Sequence, residues 1–355
     1  MLLLGLGALS LAPTCGKRRP PLPPLERVPQ HTNELTGVQR GNQIILLWPA
    51  PLRNAGSGSV QSIRRVDVYR VAEKPTAPLP MTEDQFAARS LLVGSVSYDE
   101  IQKAGPTVSY VDTLELAGEP AVLRYAIRYV NAAGQRAAFS NFFLLEPAAK
   151  VANPPVVKPA EESETAITIK WEPPTENIDK STPVNLLGYN LYRVLVTKPD
   201  QNPKPLNQEL VTATQYADKT FKFGEKYEYF VRSVSLGTEG RHVESLDSNR
   251  ISSSPVDNYP PAPPGVPTAT GIPGSIALFW PANTEPDLAG YILYRSTEPN
   301  LPPEKWTRLT PQIYTKTTFT DTNVETGKTY YYFVRAVDTT GNRSDPSKVV
   351  SETVP

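Results

Sequence analysis

The feature that most constrains this chain of 355 residues is a pattern written three times in one order. It opens with apolar residues at alternate positions ending in tryptophan: Ile44, Leu46, Trp48; Ile167, Ile169, Trp171; Ile276, Leu278, Trp280. A proline follows each Trp closely (Pro49, Pro173, Pro281), and then a Tyr-Arg pair: Tyr69-Arg70, Tyr192-Arg193, Tyr294-Arg295. Next comes an aromatic two residues before an aspartate: Tyr110 and Asp112, Tyr216 and Asp218, Phe319 and Asp321. Each copy closes on an aromatic run, a Gly turn and a serine. Side chains alternate across a pleat, so apolar residues at every second position mark a strand with one buried face. Repetition of five landmarks in fixed order marks three copies of one unit. At about 100 residues each, the units are large enough to bury a core of their own.

These landmarks resemble the fibronectin type III domain, an antiparallel immunoglobulin-like sandwich of two sheets. The resemblance implies an all-β chain of three tandem sandwiches over residues 33–148, 152–256 and 262–355. It also implies a tyrosine corner, in which a Tyr hydroxyl at the start of the sixth strand returns to nearby backbone. Gly327-Lys328-Thr329-Tyr330, with Val324 upstream, fits that corner, as does Gly224-Glu225-Lys226-Tyr227. The first repeat has Leu123 there, which carries no hydroxyl.

The first repeat also carries an insertion, Met81 to Leu92. Thr82 with Gln85 three positions on is the pattern of a capped helix start, and Phe86, Ala87 and Leu91 are expected to share a face. Such a helix is expected to protect a sheet edge, the alternative being a binding element on a loop.

The N-terminus is of another kind. Met1 to Ala12 is an apolar run too short to cross a bilayer and suited to the core of a signal peptide, which is expected to take in residues 1–14. The single cysteine, Cys15, follows directly. The arrangement resembles a bacterial lipoprotein signal, although Ala12 and Thr14 stand where the usual pattern has Leu and a small residue. The resemblance implies that Cys15 is lipidated, that acyl chains hold the protein to a membrane, and that Gly16 directs it to an outer membrane. Residues 15–32 are then a tether. Prolines fix φ and withhold hydrogen bonds, and at about 3.1 Å per residue Lys17 to Pro29 reaches about 40 Å. The proline-rich segments Val151 to Pro155 and Tyr259 to Pro267 imply stiff joints between repeats.

Composition removes several function classes. Thirty-six basic against 36 acidic residues leave no net basic field to attract nucleic acid. Two histidines, His31 and His242, far apart in sequence, and one cysteine assemble no zinc set or HExxH motif. The acidic loop Glu172 to Asp179 lacks the regular ligand spacing and central Gly of a calcium loop, so it reads as a solvated loop. Asp112, Asp218 and Asp321 recur at one framework position, which assigns them to hydrogen bonding at strand ends. No catalytic, cofactor or metal residues are expected. The candidate interaction face is the Tyr and Arg stripe: Tyr69, Arg70, Tyr192, Arg193, Tyr294, Arg295 and, on the sixth strand, Arg335. The expected function is a non-catalytic envelope lipoprotein whose sandwiches space or bind a protein partner. The alternatives are a carbohydrate-binding or adhesive surface protein and an accessory subunit of an envelope complex.

Overall fold

The computed structural model describes residues 29, 31–50, 63–77, 80–115, 120–199 and 203–355, so Cys15 and most of the tether lie outside the described residues. The described residues are all-β apart from two short α-helices and two 3-10 turns, and they form three sandwiches in sequence.

The first sandwich has strands β1 (Thr36–Arg40), β2 (Gln43–Pro49), β3 (Ile63–Glu73), β4 (Leu91–Ser97), β5 (Thr107–Thr113), β6 (Val122–Asn131) and β7 (Phe143–Leu145). One sheet runs β1-β2-β5 and the other β4-β3-β6-β7. The second has β8 (Val156–Val157), β9 (Glu161–Glu162), β10 (Ile167–Glu172), β11 (Gly188–Leu195), β12 (Gln215–Asp218), β13 (Tyr227–Leu236), β14 (His242–Glu244) and β15 (Ile251–Ser253). There β10 pairs with β8, β9 and β12, while β13 pairs with β11, β14 and β15. The third has β16 (Thr268–Ile272), β17 (Ser275–Phe279), β18 (Leu288–Ser296), β19 (Thr307–Arg308), β20 (Thr318–Asp321), β21 (Thr329–Asp338) and β22 (Val350–Thr353). Its sheets run β16-β17-β20 and β19-β18-β21-β22.

The alternation seen in the sequence fills the space between the sheets. Ile44, Leu46 and Trp48 are at most 1 % exposed, and their counterparts in the other repeats at most 3 %. In the second and third repeats the indole meets a Tyr ring edge-on: Trp171 with Tyr189 at 5.2 Å and Trp280 with Tyr291 at 5.4 Å. The tyrosine corners close as well. The Tyr227 hydroxyl accepts from the backbone N–H of Lys222, and that of Tyr330 from Glu325, each at 3.0 Å. Leu123 fills the corresponding place in the first repeat by packing into the core.

The insertion forms α1 (Glu83–Arg89), with Thr82 and Gln85 in a reciprocal capping box. It lies on the outer face of the sheet rather than over its edge, because Phe86 is buried with Val71, Ala126 and Phe139. Leu91 does not share that face: the helix has ended, and Leu91 begins β4, 67 % exposed. A second helix, α2 (Tyr98–Ala104), has its own capping box from Ser97 and Glu100 and sets Ile101 into the core. Phe86→Ala removes the residue that fixes α1, so it is expected to lower the first repeat's stability by about 3 kcal/mol in urea unfolding.

One glycine is required by close approach. In β4 a Cβ on Gly94 would lie 2.2 Å from the Tyr110 hydroxyl, which donates to the Val93 carbonyl at 2.7 Å and ties β5 to β4 across the sandwich. Gly94→Ala is therefore expected to cost about 1–3 kcal/mol in thermal denaturation. Adding Tyr110→Phe should recover part of the loss by removing the clashing oxygen.

Candidate interaction surfaces

The Tyr-Arg pairs split across the sheet, because neighbours on a strand point to opposite faces. Arg70, Arg193 and Arg295 turn toward the other sheet, where each meets the recurring aspartate: Arg70 with Asp112 at 2.6 Å, Arg193 with Asp218 at 2.7 Å, Arg295 with Asp321 at 2.9 Å. The same carboxylate oxygen accepts from a sixth-strand tyrosine: Tyr125 at 2.7 Å, Tyr229 at 2.8 Å, Tyr332 at 3.0 Å. This corrects the expectation that these arginines belong to an exposed stripe. Burial, reinforced by the neighbouring carboxylate, pushes all three hydroxyls well above the usual tyrosine range. Burial also raises the Asp218 carboxyl, but bonds from Thr220 and Tyr229 and the Arg193 charge outweigh it and hold that carboxyl below its ordinary value. In every repeat these groups bind strand to strand, and in the first Arg70 also lines a cavity of about 850 Å³ with Glu115, Glu146 and Lys150.

On the opposite face, each third-strand tyrosine meets a phenylalanine and a sixth-strand arginine. Tyr192 stacks on Phe230 at 4.9 Å and 6°, with Arg232 over Tyr192 at 4.2 Å and Arg250 over Phe230 at 4.5 Å. Tyr294 stacks on Phe333 at 4.8 Å, with Trp306 and Arg335 on the same ring. In the first repeat Tyr69 meets Phe139 edge-on at 5.2 Å, Arg128 lies over that ring at 4.2 Å, and α1 covers the group. The rings are largely covered: Tyr192 is 3 % and Phe333 1 % exposed. Tyr98 and Phe279 are the aromatics more than a third exposed among the described residues. No flat aromatic platform forms on this face.

One surface between units lies between the first two repeats. Arg40 at the end of β1 bridges Glu244 of β14 in parallel, and the Gly41 N–H donates to the Glu244 carbonyl at 2.7 Å. Gln39, a buried polar residue, holds both backbone groups of Ala148: its Nε2 donates to the carbonyl and its Oε1 accepts from the N–H, each at 2.8 Å. Beyond it Ala148 and Val151 pack with Ile178 and Val243, and Ala152 N–H donates to Ser235. The Glu244 carboxylate accepts from Asn190, Tyr192 and Arg232, tying the joint to the stacked aromatic face. The three carboxylates of the Glu172 to Asp179 loop are exposed, as a solvated acidic loop requires, while Asn177 between them is fully buried and Ile178 N–H donates to the Val151 carbonyl of the joint.

The second joint is built differently. Asn342 donates to the Asp257 carbonyl at 3.1 Å, Ala262 N–H donates to Glu285 at 2.7 Å, and Phe223 meets Tyr259. The carboxylates of Asp257, Asp287 and Asp338 lie within 4.8 Å of one another there. Asp338 is buried. Burial raises its carboxyl, but bonds from Asn342, Thr340 and Gly341 hold it below its ordinary value.

No family model matches the chain. It is 27 % identical over 257 residues to exoglucanase B of Cellulomonas fimi, a match that takes in 70 % of this chain and 21 % of that enzyme. The chain therefore spans about a fifth of the relative it matches. Among solved structures it is similar to the chicken CNTN1 FN1–FN3 domains at 15 % identity, covering 92 % of this chain and 99 % of that one with a TM-score of 0.27. It is also similar to a Fn3-like protein from Clostridium thermocellum at 32 % identity, covering 27 % of this chain and 96 % of that one with a TM-score of 0.24.

Proposed function

We propose that this chain is a non-catalytic spacer and protein-interaction arm of a bacterial cell envelope, with fibronectin type III-like sandwiches carried outward from a lipid on Cys15. The observation that supports the spacer role is the first joint, where an Arg40–Glu244 strand bridge joins two sandwiches and a buried glutamine seats Ala148, the end of the first, against Val243 of the second. Ion pairs that elsewhere gather in active sites here bind strands in all three repeats, as a scaffold requires. The anchor rests on the apolar run before Cys15 and the proline tether after it. In a Gram-negative host, intact mass should show a mature chain beginning at Cys15 with added acyl mass, partitioning into detergent. Cys15→Ser should abolish both. An unmodified thiol in the wild-type chain would discard the lipoprotein reading.

The likeness to an exoglucanase favours a second reading, a carbohydrate-binding module. Retention of the full chain on insoluble β-glucan would support it, and free passage would remove it.

A further inference from the structure

We draw no further inference here: the strongest candidate, the cavity of about 850 Å³ between the first two repeats, is bounded at Glu115 and Pro120 by residues 116–119, which lie outside the described residues, and the Arg70, Asn185 and Thr238 side chains that line it are already bonded to neighbouring groups of the chain, so nothing in the structure shows what would fill it.

Discussion

Asp218→Ala should destabilise the second repeat by about 3–5 kcal/mol, the usual effect of removing one partner of a buried ion pair. The substitution leaves the Tyr229 hydroxyl, on a residue with no exposed surface, without its acceptor, and leaves Arg193 facing the sandwich interior without a counter-charge. It also releases Thr220, whose N–H and hydroxyl both donate to Asp218. Asp218→Asn should fall between, because an amide oxygen keeps an acceptor for Tyr229 but loses the charge. Urea unfolding followed by near-UV circular dichroism measures both. The same carboxylate fixes the sign of an acid dependence. Its folded value is lowered from the ordinary one, so its contribution is present above the unfolded value of about 4 and is lost as pH falls through the folded value. Asp218→Ala should therefore flatten the decline in stability below pH 4, not the behaviour near neutrality.

Gln39→Ala should loosen the joint between the first two repeats while leaving each sandwich folded, because Gln39 seats Ala148, the end of the first repeat, against Val243 of the second. The substitution deletes the two bonds to Ala148 and a third to the Gly41 carbonyl. Ala148 is buried, so both of its backbone groups lose partners where water cannot easily replace them. At about 1–3 kcal/mol for an unsatisfied buried group, the joint should weaken by at least about 2 kcal/mol. Amide exchange at Ala148 should accelerate, and unfolding of the two repeats should separate into distinct transitions. Glu244→Gln is the comparison: it keeps the backbone bridge to Arg40 and should disturb the joint less.

Much of the architecture was legible because sandwiches write themselves locally. Trp48, Trp171 and Trp280 each end an alternating strand, and Tyr227 and Tyr330 each close a corner onto backbone five residues away. The α1 capping box was legible for the same reason, its two partners lying three residues apart. Features that depend on distant partners were not. The bonds between Gln39 and Ala148 join residues 109 positions apart, and nothing around either marks it as half of a joint. The aspartates were legible as framework groups, but which arginine met them was not. Tyr192 and Arg193 are adjacent in sequence, yet the pleat sends one into a stack with Phe230 and the other to Asp218. A stripe composed of both was therefore divided by the strand itself, and its aromatic half was covered by arginines from neighbouring strands.

The fixed angle between the first two repeats is the account's central claim, and pulsed electron resonance tests it most directly. Nitroxide labels at Ser109→Cys in β5 and Lys219→Cys beyond β12, both exposed, report the inter-repeat distance in a chain carrying Cys15→Ser. A single narrow distance distribution is predicted, broadening when Gln39→Ala is added. A broad distribution in the chain with Gln39 intact would contradict the account, which takes the Arg40–Glu244 bridge and the seating of Ala148 by Gln39 to hold the repeats together.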